Sequence, residues 1–362
     1  MALNISIVIP VYNAARYLEA CLAAIRDLDP APFECLVVDD GSTDDSRQMA
    51  GRAGVTVITS AQRRGPAAGR NLGARAARGD ILLFVDADVV LPRDALSRIA
   101  ARFSADPECD ALIGSYDYDP ASPDLISQYR NLLHCYVHQH GEVRTCAFWT
   151  GCGAIRNSVF RAFGGFDETR KRPSIEDVEL GMLIRQGGGR VWLDKGLQVK
   201  HLKQLSFFGM LKTDLADRAI PWTRLILRLR RMPADLNLRW GQRFSVLASG
   251  WAAAALVLAL ISSATSGGPV AKPLILSAAV AMLAVVALNR DFYRFLVRLR
   301  GPLFAVRAFP LHWLHFLCAG AGFAIGFAAH ACGSRRQPAA ERLDTDEPVC
   351  AAAQPASGTR RI

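Results

Sequence analysis

The chain has 362 residues, 51% of them hydrophobic, and carries 43 Lys and Arg against 33 Asp and Glu, a formal net charge of +10. Residues 1–205 are close to neutral, so the basic excess lies in residues 206–330, beside and between apolar segments. This distribution favours anionic lipid as the partner and argues against nucleic acid. The 9 cysteines include no C-x-x-C pair and no zinc-ligand spacing, which indicates reduced thiols in a cytosolic compartment.

Residues 1–205 alternate between strand-like and helix-like patterns. The predicted strands are Ile5–Tyr12, Phe33–Val38, Val55–Thr59, Ile81–Val85 and Ala111–Tyr116. The predicted helices are Ala14–Leu28, Pro66–Ala77, residues 93–103, residues 122–139 and Ile175–Gln186. This alternation predicts an α/β fold with a doubly wound, mostly parallel sheet. The first strand is short, contains Pro10 and has no basic leader, so we expect no signal peptide and a cytosolic domain.

Carboxylates follow two of these strands at the point where each strand ends. Asp86-Ala87-Asp88 closes the apolar run Ile81–Val85, and Asp39-Asp40 closes the second strand. Open α/β sheets bind their ligands at the carboxyl ends of the strands. Two carboxylates at that edge suit a hard divalent cation that keeps positions open for phosphate oxygens.

Several motifs in chain order resemble those of the family 2 glycosyltransferases, which have the GT-A fold. They are Ile9-Pro10-Val11-Tyr12-Asn13, Val37-Val38-Asp39-Asp40-Gly41-Ser42-Thr43-Asp44, Asp86-Ala87-Asp88 and Glu176-Asp177, within roughly residues 5–205. The resemblance implies that a set of strand-end residues binds the nucleotide-sugar donor. This set is Pro10, Val11, Tyr12, Asp39, Asp40 and Asp86. It also implies that Asp88 binds Mg²⁺ or Mn²⁺, with His201 as a further ligand, although a lone histidine is more often structural.

Three further segments resemble parts of the same family. Gly65-Pro66-Ala67-Ala68-Gly69-Arg70-Asn71 matches its glycine-led helix, which leaves Arg70 either facing the donor diphosphate or at the surface. Trp149-Thr150-Gly151-Cys152-Gly153 resembles the segment that flanks the sugar and the acceptor, where Trp149, Gly151 and Gly153 would line the pocket. Gly164-Gly165-Phe166-Asp167 resembles a G-G-F-D/E turn, or is a tight connection with Phe166 in the core.

The acidic pair Glu176-Asp177 opens a predicted helix. The resemblance implies that Asp177, beside Glu176, is the general base that takes a proton from the acceptor hydroxyl, and one carboxylate suffices for an inverting single displacement. Acidic residues in a first helical turn are also ordinary dipole partners, and Ser42 and Asp44 could simply cap a helix. His134 and His138 have a metal-like spacing without an acid on the same face, which favours a surface or acceptor-groove role.

Past residue 205 the sequence becomes basic and apolar. Residues 206–243 predict basic amphipathic helices on a membrane surface, with Trp222, Leu225, Ile226, Leu229 and Met232 opposite Arg224, Arg228 and Arg231. The alternative is a surface helix packed on the soluble domain. Residues 244–330 predict about three transmembrane helices, at Phe244–Ser262, Leu274–Leu288 and Phe309–Ala329. The Arg-rich loop Asn289–Pro302 would be cytoplasmic, and residues 331–362 predict a disordered tail.

Together these features predict a membrane-anchored, metal-dependent, inverting glycosyltransferase of the inner (plasma) membrane with a cytoplasmic catalytic domain. It would move one hexose-type sugar per event from a nucleotide donor, UDP-linked by family habit, to a lipid-linked or cell-envelope glycan acceptor. Leu236-Asn237-Leu238-Arg239-Trp240 keeps only Arg-Trp of the Gln-x-x-Arg-Trp of processive members. A processive polysaccharide synthase and a catalytically inactive membrane scaffold remain alternatives. A nucleotidyltransferase would have a glycine-rich loop where Pro10-Val11-Tyr12-Asn13 stands.

Overall fold

The amino-terminal part of the chain is a mixed α/β domain. The computed structural model describes residues 3–60, 62–230, 232, 239–266 and 269–334. The strands are β1 Ile5–Val11, β2 Glu34–Asp39, β3 Thr56–Thr59, β4 Ile81–Val85, β5 Val89–Val90, β6 Ala111–Tyr116, β7 Arg144–Thr145, β8 Cys152–Arg156 and β9 Val191–His201. The helices of this domain are α1 Ala15–Arg26, α2 Ser46–Arg52, α3 Pro66–Ala76, α4 Ala95–Ala105, α5 Leu125–Gln139, α6 Asn157–Ala162 and α7 Glu176–Gln186.

The strands form one mostly parallel sheet in the order β3-β2-β1-β4-β8-β6-β9-β5, with β7 beside β9. β1, β2, β3 and β4 run parallel, and β8 is antiparallel to both of its neighbours, β4 and β6. All of Ile81–Val85 is buried because helices cover both faces of the sheet. The register pairs Val11 with Asp39, so the carboxyl ends of β1 and β2 meet at one edge. The predicted doubly wound sheet is confirmed.

A helical region follows the α/β domain. Its first part is a continuous helix made of α8 (Phe207–Lys212), a π-helical segment (Thr213–Ala219) and α9 (Ile220–Leu229). Its second part comprises α10 Trp240–Ser266, α11 Ala271–Leu288, α12 Arg290–Arg300 and α13 Pro302–Ser334. Within the described ranges, α10, α11 and α13 are long and apolar enough to cross a membrane.

Helices α10 and α11 pack as a hairpin through small side chains. The buried contact residues are Ala252, Ala255, Ala278 and Ala281. Larger apolar side chains point outward instead, with Leu260 at 71% and Leu276 at 67% exposure. Small residues at the helix contact and large apolar ones outside are the pattern expected of helices surrounded by lipid.

The segment Asn289–Pro302, predicted as a loop, is instead the helix α12. Phe292 and Leu296 lie on one face of α12 and are buried against α5, where Tyr129 and Leu132 contact them. The loop prediction was wrong because it rested on the density of arginines and overlooked the helical spacing of the apolar residues between them.

The helix formed by residues 207–229 is enclosed on two sides. Leu225 packs against Ile175, which precedes α7, and against Met182 within α7. This contact agrees with the alternative prediction of a helix packed on the soluble domain. On another side it meets α13, where a Cβ added at Gly322 would lie 2.3 Å from the Cβ of Ala219. The described residues do not include Arg231, residues 236–238 of the segment that ends in Arg-Trp, or residues 335–362 of the predicted tail.

Candidate active site

The edge formed by the ends of β1 and β2 carries a buried carboxylate. Asp39 is 2% exposed and accepts a hydrogen bond from the backbone N–H of Ser42 through Oδ1, at 3.0 Å. Its Oδ2 has no hydrogen-bond partner among the residues that the structure describes, which leaves it available to a ligand N–H. Asp40 differs, because its two oxygens accept the backbone N–H groups of Arg64 and Gly65 at 2.8 and 2.7 Å. Asp40 therefore holds the loop before α3.

The other predicted donor residues flank Asp39. Val11 is buried and its carbonyl accepts the Asp40 N–H at 2.8 Å, while Pro10 is half-buried beside it. Tyr12 is exposed, and the Arg63 guanidinium lies 3.8 Å from its ring centroid. The Tyr12 ring and the Arg63 guanidinium together form a flat surface next to Asp39. A planar nucleotide base can stack on a surface of this kind.

Ser42 and Asp44 connect this edge to the next loop. Ser42 Oγ accepts the N–H of Asn13 at 3.0 Å rather than capping a helix. Asp44 accepts the N–H groups of Ala15 and Ser46 at 3.0 and 3.1 Å, so it serves the first turns of α1 and α2. These bonds fix the strand ends around Asp39.

Arg70 joins two of the acidic motifs. It lies in α3, its side chain is 6% exposed, and its Nη2 is 2.7 Å from Asp86 Oδ1 while its Nη1 is 3.0 Å from Glu176 Oε1. The alternative of a surface arginine is therefore wrong. Glu176 is itself buried and accepts the Ser174 N–H at 2.9 Å. Arg70 and Glu176 thus act as positioning groups that hold the Asp86 strand end and the start of α7 together.

Asp88 and His201 face each other across β5 and β9. His201 Nε2 lies 3.6 Å from Asp88 Oδ2, and His201 Nδ1 lies 2.8 Å from Asn131 Oδ1. An amide oxygen can only accept, so His201 Nδ1 donates this hydrogen bond and its ring is held with Nε2 towards Asp88. Burial acts to raise the pKa of Asp88, but His201 and Lys203 overcome it and lower that pKa.

This pair fits a divalent cation as two ligands of an open site. An imidazole whose other nitrogen is fixed by a buried amide, beside an ionised carboxylate, suits Mn²⁺ and also Mg²⁺. Among the described residues, no group of three or more His, Cys, Asp and Glu converges to hold a metal. The remaining positions would therefore fall to water or phosphate oxygens.

Asp177 has the environment of a general base. Its Oδ2 accepts hydrogen bonds from the N–H and the hydroxyl of Thr150 at 3.1 and 3.2 Å, and its Oδ1 accepts the Val178 N–H at 2.8 Å. Burial, helped by the negative charge of Glu176, raises the pKa of Asp177 to about 6. A carboxylate with that pKa is ionised at neutral pH and basic enough to accept a proton in a transition state.

Trp149, Gly151 and Gly153 come together, but the glycines serve a different purpose from the predicted one. A Cβ added at Gly151 would lie 2.3 Å from Trp149 Cζ2, and one at Gly153 would lie 2.7 Å from Phe148 Cζ. The space that we expected to admit the sugar is filled by these rings. Gly151 therefore leaves room for the Trp149 ring, and Gly153 leaves room for the Trp149 carbonyl and the Phe148 ring, so Trp149 alone of the three predicted residues stays a candidate for lining the pocket.

An aromatic cluster surrounds Trp149. The Tyr116 ring lies 4.8 Å from Trp149 and stacks on His201 at 4.6 Å, so it links the tryptophan to the candidate metal pair. His134 and His138 lie 4.3 Å apart in the same cluster, and His138 Nδ1 contacts the Gly114 carbonyl at 3.1 Å. Both histidines are packed in the domain, so the surface role considered for them is wrong.

The Gly164-Gly165-Phe166-Asp167 turn is fixed by a residue that sequence reasoning passed over. Asn71 donates to the Phe166 carbonyl at 2.8 Å and accepts the Phe166 N–H at 3.0 Å. Phe166 is in the core, 5.1 Å from the Phe84 ring, as the tight-connection alternative stated. Asn71, Asn131 and Thr150 all went unnoticed as functional residues because polar residues inside helices and loops carry no pattern of their own.

The sequence is similar to those of known glycosyltransferases. Residues 6–163 match the family model described as Glycosyl transferase family 2. The chain is 31% identical over 121 residues to a glycosyltransferase, GlyG, from Streptococcus pneumoniae; this covers 32% of the chain but only 40% of that relative. It is 28% identical over 327 residues to the succinoglycan biosynthesis protein ExoA from Rhizobium meliloti, covering 81% of the chain and 95% of that relative.

A solved structure with a similar fold is the mannosyltransferase PcManGT from Pyrobaculum calidifontis, in complex with GDP-Man and Mn²⁺. The TM-score is 0.50 at 19% identity, and the match covers 91% of this chain and 88% of that chain. At this identity the likeness concerns the fold alone, and it agrees with the GT-A arrangement of the sheet.

Proposed function

We propose that this chain, which belongs to glycosyltransferase family 2, is a membrane-anchored inverting enzyme that transfers one sugar from a nucleotide donor to a lipid-linked or glycan acceptor. The observation that carries the proposal is the arrangement at one sheet edge. Arg70 joins Asp86 to the start of α7, where Asp177 has a pKa raised to about 6, and Asp88 faces His201 nearby.

The donor would lie along this edge. Asp39 would accept an N–H of the base through its available oxygen, beside the flat surface at the Tyr12 ring, and Pro10 and Val11 would bound the same site. A buried acceptor selects for bases that present an N–H at that position, which is consistent with uracil. Asp88 and His201 would hold Mg²⁺ or Mn²⁺, which supplies positive charge that stabilises the departing diphosphate.

The transfer itself would be a single displacement. Asp177 takes the proton of an acceptor hydroxyl while that oxygen forms a bond to the anomeric carbon of the donor sugar. The bond from that carbon to the donor phosphate oxygen breaks, and the nucleoside diphosphate leaves with both electrons. Attack from the side opposite the leaving group inverts the anomeric centre, so one base suffices.

The helical region would place this chemistry at a membrane. Helices α10, α11 and α13 would cross the bilayer, and the arginines of α12, among them Arg290, Arg294 and Arg298, would keep the catalytic domain on the cytoplasmic side of the inner membrane. The similarity to ExoA, a succinoglycan biosynthesis protein, over nearly the whole of that relative supports an acceptor in glycan assembly.

The test is nucleoside diphosphate release by the detergent-purified protein with a panel of UDP- and GDP-sugars, Mn²⁺ or Mg²⁺, and membrane lipid extract. We expect release from one donor, and a loss of about 10²- to 10⁴-fold in Asp177→Asn. Asp94→Asn is the matched control, because Asp94 forms an exposed pair with Arg98 on α4. Substantial transfer by Asp177→Asn would show that the base is assigned wrongly.

Product analysis separates the alternatives. A single mass increment on the acceptor supports one transfer per event, whereas a ladder of products would favour a processive synthase. Failure of every donor to bind would favour a membrane scaffold without catalysis.

A further inference from the structure

A groove of about 310 Å³ runs between the enclosed helix of residues 207–229 and the apolar helices α10 and α13. Most of its wall is apolar, formed by Ile226, Val246, Leu247, Ala319 and Phe323. One end is polar and contains Arg130, Asp214, Arg218 and His315, and Gln242 and Arg243 also line the groove. The groove therefore combines a surface for a hydrocarbon chain with a charged end.

The charges at the polar end do not cancel. Asp214 is buried and is already shared, since Arg130 Nη2 lies 2.6 Å from its Oδ1 and His315 Nδ1 lies 3.1 Å from its Oδ2. Arg218 is half-buried, and within the described part of the chain it makes neither a hydrogen bond nor an ion pair. A guanidinium with five donors in a partly desolvated place is a ready partner for an anion.

The helix that carries Arg218 contacts the segment before α7, because the Ser174 hydroxyl donates to the Asp217 carbonyl at 2.9 Å. Burial lowers the pKa of Arg218, the like charge of Arg130 lowers it further, and Asp214, Tyr116 and Asp177 act in the opposite direction. Arg218 therefore lies in a partly desolvated place among other charged groups. It lies in the π-helical segment, and such segments occur often at functional sites because they alter which side chains face a neighbour.

We propose that this groove binds the lipid part of the acceptor, with the hydrocarbon chain between α9, α10 and α13 and a phosphate ester at Arg218. The inference rests on the proposed function and names its acceptor class, a lipid phosphate. Charge complementarity selects this occupant, because a neutral lipid would leave the guanidinium unpaired and a free sugar would leave the apolar wall uncovered. A general base at Asp177 serves a hydroxyl, so the accepting oxygen would be a hydroxyl of the group linked to the lipid phosphate and not a phosphate oxygen.

The test measures binding of farnesyl phosphate to the full chain in phosphatidylcholine nanodiscs, by tryptophan fluorescence. Trp222 lines the groove, and Trp222→Phe identifies its share of the signal. We expect Arg218→Met to weaken farnesyl phosphate binding by about tenfold to a hundredfold, the usual range for a charged hydrogen-bonded contact. Arg224→Met is the matched control, since it removes the same charge from the exposed face of the same helix.

Ala319→Phe provides a second variant that leaves the charges intact. It narrows the apolar wall, so it should weaken both farnesyl phosphate and farnesol, whereas Arg218→Met should affect only the phosphate. Inorganic phosphate alone should bind far more weakly than farnesyl phosphate. Thermal unfolding of each variant establishes that it is folded.

Several outcomes would overturn the proposal. Equal affinity for farnesol and farnesyl phosphate, or unchanged binding in Arg218→Met, would show an apolar groove without a phosphate site. Equal competition by phosphatidylglycerol would identify a general membrane lipid site. Donor binding, measured in parallel, separates the two proposals. If Arg218→Met loses lipid binding but keeps its affinity for the nucleotide-sugar donor, the proposed lipid groove is supported. If the unmodified protein binds no donor at all, that result contradicts only the proposed function.

Discussion

Replacing Arg70 by methionine should destabilise the α/β domain far more than replacing its neighbour Arg75 on the same helix. The Arg70 side chain is 6% exposed and pairs with Glu176, which is 4% exposed, and with Asp86, which is 35% exposed. Asp86 can be solvated when the guanidinium is lost, but Glu176 cannot. The main cost of Arg70→Met is therefore a carboxylate left buried without its cation, worth about 3–5 kcal/mol.

Replacing Arg75 by methionine should have a much smaller effect on the free energy of unfolding. Arg75 is 57% exposed and its partner Glu168 is 30% exposed, at 3.3 Å. An ion pair of this kind contributes about 0–1 kcal/mol. For a domain of roughly 200 residues, the Arg70 effect corresponds to a fall in unfolding temperature of about 6–20 °C.

The assay is thermal unfolding of the detergent-purified protein, followed by tryptophan fluorescence, for four variants. They are Arg70→Met, Arg75→Met, Glu176→Gln and the double variant Arg70→Met with Glu176→Gln. The double variant should recover about half or more of the loss, because the neutral amide no longer needs a cation and can still accept the Ser174 N–H. If Arg70→Met matches Arg75→Met, or if the double variant recovers nothing, the buried triad does not hold this edge together.

Three further predictions concern the same site. The kcat/KM for transfer should decrease below about pH 6, because only ionised Asp177 can accept a proton. Thr150→Val should shift this acidic limb of the pH–rate profile to higher pH, because it removes a hydrogen bond to the ionised carboxylate. If the acidic limb does not shift, it reports the ionisation of another group. Asn131→Leu should weaken Mn²⁺ activation by about 10- to 100-fold, since His201 loses the acceptor that orients it, and unchanged activation curves would contradict this. Gly151→Ala should lower the free energy of unfolding by about 1–3 kcal/mol, measured by denaturant unfolding, and a neutral effect would mean that the neighbouring ring moves aside easily.

The sequence predicted the parallel part of the sheet well, because strands such as Ile81–Val85 are buried on both faces and leave an uninterrupted apolar run. The short strands Val89–Val90 and Arg144–Thr145 were missed, since two residues carry no periodicity. Cys152–Arg156 escaped because the motif around it was interpreted only for its glycines.

The sequence predicted the acidic residues of the candidate site but not the residues that hold those carboxylates in place. Carboxylates that follow strands are visible in one dimension, whereas the contacts of Arg70 with Asp86 and Glu176 join residues 16 and 106 positions apart. The same holds for His201 and Asn131, which are 70 positions apart. Pairing across such distances depends on the finished fold, so no local pattern announces it.

Helix α5 touches both halves of the molecule. Asn131 on this helix fixes His201, while Tyr129 and Leu132 pack against α12 and the first part of α13. If α10, α11 and α13 cross a bilayer as proposed, α5 would set the height of the candidate active site above it. If the acceptor is lipid-linked as proposed, a hydroxyl one sugar nearer the lipid would not reach Asp177, and a hydroxyl one sugar farther away would lie beyond it. We therefore expect the product of one round to be a poor acceptor for a second, which would make the length of the growing glycan a property of the fold.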